Sequence, residues 1–226
     1  MTPQEIEKLS FSIINQEAGE QDFNSQEWQV VQRMIHTSAD FEYINTVRFH
    51  PDAISAGIKA IRDGATIITD TNMARVGIRK GEISSFGGDV KCLIADEDVI
   101  NRAKNEGITR AVAAVDKSAD LITNEYIKHS VQNAGAVLDS PIQGKAVIYV
   151  VGNAPTALLR LVELVKEEIV KPALIIGMPV GFVNAAESKE ELMKLDYPYI
   201  SNRGRKGGSN VAASVVNALA IIASSI

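Results

Sequence analysis

Two apolar runs, each broken by a glycine-bearing turn, set the rhythm of the second half of the chain. Residues 146–151 run into Gly152-Asn153-Ala154-Pro155-Thr156 and then a helical pattern, and residues 173–176 run into Gly177-Met178-Pro179-Val180-Gly181. Strands that are apolar at nearly every position belong in a sheet covered on both faces. In an open parallel sheet the turns after such strands lie at the carboxyl ends, where ligands bind. This stretch is therefore expected to form the floor of an active site.

The same reading extends along the chain. Thr2, Pro3 and Glu5 form a helix entry, with Ile6, Leu9, Ile13 and Ile14 at helical spacing behind them. Ser25 opens a second helix through Trp28, Val31, Met34 and Ile35, with His36 near its end. Strands are expected at 44–49, 66–69, 90–94 (with Cys92 inside it) and 197–201, where Pro198 demands an edge or a strand start. Helices are expected from Pro51-Asp52 to Asp63-Gly64, over 73–79, over 96–105 with a stop at Gly107, and from 109 to 133, broken or bent near Lys117-Ser118. Lys80-Gly81, Gly87-Gly88 and residues 139–144 read as loops and turns, a short helix follows Lys189, and Ser209 caps the last helix. The alternation predicts one α/β domain over residues 1–226, a mostly parallel open sheet with helices on both faces. The helices before residue 44 pack beside the sheet or on another subunit.

Charge and composition narrow the function. A net charge of −5 argues against nucleic acid as the partner, without excluding an anionic small molecule. The single cysteine, Cys92, allows no intrachain disulfide and fits a reducing, cytoplasmic setting. The start of the chain lacks a basic stretch followed by an apolar run, and the apolar segment 211–226 is too short and too interrupted to span a membrane.

Candidate chemistry is sparse. His36 sits at the negative end of a helix macrodipole, which favours the imidazolium and suits a proton donor near neutral pH; a solvated or capping histidine is the plainer alternative. His50 in its turn and His129 on a polar helix read as structural and surface residues. No nucleophile elbow, activated cysteine, metal-ligand spacing or dinucleotide fingerprint is present, so neither cofactor nor metal is expected. The Gly152–Thr156 turn offers backbone N–H groups to an anion, a shape that packing alone also produces. Arg203-Gly204-Arg205-Lys206-Gly207-Gly208-Ser209 is the stronger anion candidate, since it combines three cations with free donors before a helix. Arg110, after Thr109, is a further candidate that spacing alone would leave as surface charge.

Five segments in order resemble the precorrin-8X and cobalt-precorrin-8 methylmutase family of corrin biosynthesis. They are Arg33-Met34-Ile35-His36, the run from Gly152 to Leu158, the run from Gly177 to Val183, Ala185-Ala186-Glu187-Ser188-Lys189, and Arg203-Gly204-Arg205 with Gly207-Gly208-Ser209. The resemblance covers nearly the whole chain. It implies a sigmatropic methyl shift between adjacent ring-C carbons, a homodimer, no redox cofactor, and His36 as the acid. It also implies that the substrate is bound by Thr109, Arg110, Asn153, Thr156, Met178, Arg203, Arg205 and Ser209, its carboxylates meeting Arg110, the 203–209 loop and the helix N-termini of the two central turns. Lys206 departs from the apolar residue expected there, and either adds a carboxylate contact or faces water. Glu106-Gly107-Ile108 and Thr71-Asn72 are also atypical, and the 70–73 loop ranks as lining only. Two other readings stay open: a corrinoid carrier without catalysis, and a nucleotide-binding α/β enzyme using the two glycine turns.

Overall fold

The computed structural model describes residues 1–123 and 145–225. The end of the helix expected to reach residue 133, His129 and the turn at 139–144 fall outside the described residues.

The N-terminal elements follow from their caps. Helix α1 (Pro3–Ala18) is closed by a reciprocal pair: Thr2 Oγ1 accepts from Glu5 N–H at 3.3 Å, and Glu5 Oε2 accepts from Thr2 N–H at 2.7 Å. Helix α2 (Ser25–Ser38) is capped in the same way by Asn24 with Glu27, one residue earlier than expected. Ala39 stops it in the left-handed conformation, donating its N–H to the Ile35 carbonyl. The expected strand 44–49 splits into a short turn of helix, α3 (Tyr43–Thr46), and a strand, β1 (Val47–Phe49).

Next come α4 (Ala53–Arg62), β2 (Thr66–Thr69), α5 (Asn72–Gly77) and α6 (Lys80–Ser85). The last corrects the loop expected at Lys80-Gly81. Strand β3 (Asp89–Lys91) is shorter than expected and leaves Cys92 just beyond its end. Helix α7 (Glu97–Glu106) stops at left-handed Gly107, and α8 (Arg110–Thr123) follows. Helix α8 runs unbroken through Lys117-Ser118. Lys117 instead turns outward to Asp96 and Asp98, while the buried Ser118 hydroxyl meets Tyr149 Oη at 2.6 Å. The chain then forms β4 (Val147–Val151), α9 (Pro155–Lys166), β5 (Leu174–Gly177), α10 (Ala185–Met193), β6 (Tyr199–Asn202) and α11 (Ser209–Ser225).

Among the described residues the strands form one sheet in the order β1-β6-β5-β4-β2-β3, parallel throughout except for β1 against β6. Pro198 is a strand start, because β6 lies inside the sheet. Alternate residues serve opposite faces. Ile67, Ile148, Val150, Leu174, Ile176 and Ile200 pack under α2, α4 and α11. Ile68, Val147, Tyr149, Val151 and Ile175 pack under α7, α8 and α9. Each such aliphatic side chain taken fully out of water contributes roughly 1.5–3 kcal/mol. Because β2 is followed by β3 on one side and β4 returns on the other, the order reverses between β2 and β4. In doubly wound sheets a ligand crevice opens at that point.

Candidate active site

The crevice between β2 and β4 is already filled. Asp70, the residue after β2, is buried there, and its carboxylate accepts from the N–H groups of Gly152 at 3.0 Å and of Asn153 and Ala154 at 2.8 Å. Burial pushes its carboxyl above the ordinary carboxylate range, against the backbone bonds that hold it down. The donors that looked ready for a substrate anion therefore serve a side chain of the protein, which corrects the anion reading of this turn. A phosphate at the same place would meet a buried negative charge, so the nucleotide reading loses its anchor. Gly152 is needed for the close approach of the next element, since a Cβ there would lie 2.7 Å from the Ser209 Cα.

The second turn is joined to the basic loop. Gly208 N–H donates to the Met178 carbonyl at 2.9 Å, and Gly181 N–H donates to the Arg205 carbonyl at 3.2 Å. Gly207, at φ 156°, passes so near that a Cβ would sit 2.2 Å from the Met178 oxygen. Met178 itself is fully buried in the core, so its side chain is closed off from ligand. Ser209 begins α11 without capping it. Its hydroxyl lies 2.8 Å from Thr71 Oγ1, which in turn accepts from Ala74 N–H and caps α5.

What the loop leaves exposed are Arg203 and Arg205. The Arg205 guanidinium lies over the Phe182 ring at 5.5 Å, and Phe182 is 83% exposed. Lys206 is not free in water: it pairs with Asp40 and Glu42, each at 2.6 Å, just past the end of α2. The Lys206 bond holds Asp40 below the usual carboxylate range. The loop is thereby tied to the helix that carries His36.

On the other side of the crevice Thr109 Oγ1 lies 3.1 Å from Thr156 Oγ1, which brings the starts of α8 and α9 together with exposed Arg110 at the first position of α8. Asn153 is exposed beside them, its N–H held by Asp70.

His36 occupies the last turn of α2 and is exposed. Its ring tilts against Phe11 at 5.1 Å, and the Arg33 guanidinium lies over the Phe11 ring at 4.8 Å while pairing with Glu7 at 2.6 Å. The imidazole borders a groove of about 560 Å³ lined by Pro3, Gln4, Ile6, Glu7 and Arg79, and a second of about 220 Å³ toward Ile13, Ile35 and Phe41. His50 has a structural place, with Nε2 3.3 Å from Asp196 and its ring edge-on to Tyr199. Sequence reasoning did not single out Arg79, which borders the groove beside His36, and it ranked the loop of Asp70 as lining only, without the three backbone bonds that its carboxylate accepts.

A doubly wound sheet with arginines free at the carboxyl edge, and an imidazole on the neighbouring helix, defines an α/β protein suited to an anionic ligand and proton transfer. Residues 5–222 match the model of the precorrin-8X methylmutase family, and the chain belongs to that family. It is thus an isomerase that moves a methyl group within its substrate. It is 47% identical to the cobalt-precorrin-8 methylmutase of Priestia megaterium over 99% of this chain and 89% of that protein. Against the precorrin-8X methylmutase of Sinorhizobium sp. the identity is 35%, over 95% and 92% of the two chains. The crystal structure of precorrin-8x methyl mutase from Thermus thermophilus superposes with a TM-score of 0.78 at 40% identity, covering 97% of this chain and 98% of that one. Among the described residues no helix is long and apolar enough to cross a membrane.

Proposed function

We propose that the substrate is a precorrin-8-type macrocycle, and that a methyl group leaves one ring-C carbon for its neighbour while His36 donates a proton to that part of the ring. The observation that carries this reading is the exposed His36 imidazole bordering an open groove, on a helix tied to the arginine loop through Lys206. An intramolecular shift needs no nucleophile. It needs a proton donor and a substrate held in a reactive conformer. The peripheral carboxylates of the macrocycle fall to Arg203, Arg205 and Arg110, with Thr109, Asn153 and Thr156 beside them; Met178 and Ser209 shape the floor from within. The chain works in the cytoplasm as a homodimer, a reading supported by the outward apolar side chains Ile6, Leu9 and Ile13 on α1.

The test is His36→Ala. The variant is expected to keep its melting temperature and its affinity for the macrocycle while turnover falls by about 10²–10⁴-fold. Turnover at the wild-type rate would remove His36 from the reaction. Catalytic amounts of protein given metal-free and cobalt-containing precorrin-8 separate an enzyme from a carrier, because a carrier converts nothing beyond what it binds; the same spectra show which form is used. Sedimentation of the purified chain reads the dimer directly.

A further inference from the structure

Lys189 is the most deeply buried charge on α10, with 0% of its surface exposed. Its Nζ lies under the arginine loop, donating to the Lys206 carbonyl at 2.6 Å and to Asn202 Oδ1 at 3.4 Å. Backbone satisfaction does not require it, because Asn202 Nδ2 also donates to the Lys206 carbonyl at 2.9 Å and to the Arg203 carbonyl at 3.1 Å. Among the described residues no carboxylate lies within ion-pair distance of it. Asp40 and Glu42 are held by Lys206 on the far side of the loop, and Glu191 is held by Lys166 and Lys194. Glu187 and Glu190 share its helix, and Glu190 borders a groove with Arg203. Burial alone lowers its pKa to about 8. A buried ammonium without a counter-ion is a liability that an apolar residue of similar volume would relieve. It sits instead against the backbone of the loop that carries exposed Arg203 and Arg205, one bond from the Lys206 carbonyl.

We propose that Lys189 is a positioning residue for the substrate: its ammonium sets the 203–206 backbone so that Arg203 and Arg205 face outward, and its charge is matched by the carboxylates of the bound macrocycle. This rests on the reading of that loop as a carboxylate grip. Anion binding then favours the protonated lysine, so affinity falls as pH rises through about 8.

The experiment compares wild type, Lys189→Met and the double variant Arg203→Ala/Arg205→Ala as full-length protein. The measurements are the turnover of precorrin-8 and the binding of a porphyrin octacarboxylate from pH 7 to 9. Lys189→Met is expected to melt at or above the wild-type temperature, to raise KM about tenfold with kcat within about twofold, and to lose the wild-type weakening of binding above pH 8. A lysine that only supports the fold would instead lower the melting temperature and leave the pH profile of binding unchanged; that result overturns the proposal. If Lys189→Met does not fold, calorimetry on His36→Ala decides: octacarboxylate binding at pH 8.5 must take up protons, and binding without uptake refutes the assignment. The underlying reading fails separately, when the double arginine variant binds and turns over like wild type.

Discussion

The two loops at the carboxyl edge of the sheet solve opposite problems. After β4, a buried carboxylate gathers three backbone N–H groups. After β6, a buried ammonium and an amide gather the carbonyls of Arg203 and Lys206. In the first the side chain is what satisfies the backbone; in the second the Asn202 amide already serves both carbonyls and the ammonium adds a second donor to one of them. The first uses up its donors internally and seals the crevice between β2 and β4. The second leaves its cationic side chains pointing outward. Glycine turns at equivalent positions of the same sheet thus do different work, and the bonding of the backbone decides which of them is open to a ligand.

Removing the anchor should separate them most sharply at Asp70. Asp70→Ala leaves the buried Gly152 N–H without an acceptor, at about 1–3 kcal/mol before any relaxation, and frees the less buried donors of Asn153 and Ala154. A melting temperature within a degree of wild type would mean that this turn is not held by the carboxylate. Gly207→Ala comes next. It adds a Cβ 2.2 Å from the Met178 oxygen at φ 156°, and a loss of about 1–3 kcal/mol is expected from the strained backbone. The damage should fall on activity as well, because the loop that presents the arginines is displaced; a fully active, stable variant would show that the loop has slack. Arg203→Ala/Arg205→Ala should change stability least, by no more than about 0.5 kcal/mol, while KM rises at least tenfold and more steeply at low salt. Denaturation curves and steady-state kinetics on the same samples give all three comparisons.

The two buried charges also respond to pH in opposite senses. Lys189 is depressed to about 8 from its ordinary 10.5, so the unfolded chain holds the extra proton between those values. Its part of the stability therefore rises with pH across that window and is lost as pH falls through 8. Asp70 is raised, so its part is largest in acid and declines as pH climbs through the window above 3.8.

Much of the frame was readable from the chain. Strands β2, β4 and β5 are apolar on both faces and stand at or within a residue or two of their expected places, and the capping residues of α1 and the stop at Gly107 announce themselves locally. Short pieces were not: β1 and α3 share a stretch whose apolar residues fit either state, and α6 is a brief turn of helix starting at a lysine and a glycine. Of the site, the arginine loop was visible as charge among glycines. The closure of the Gly152 turn was hidden, because its acceptor lies more than eighty residues earlier in the chain and no local pattern records such a meeting. Lys189 was hidden for the opposite reason: in a polar helix a lysine reads as solvated, and only the packing of α10 against β6 puts it indoors.

Asp70 has a geometric consequence for what the protein can host. With the backbone donors of that turn already taken by Asp70, a guest finds no anion seat between the strands and has to be gripped by the side chains of the rim. A wide, disc-like molecule bearing acids around its circumference suits that grip; a slender one with a single charged tip finds its seat taken.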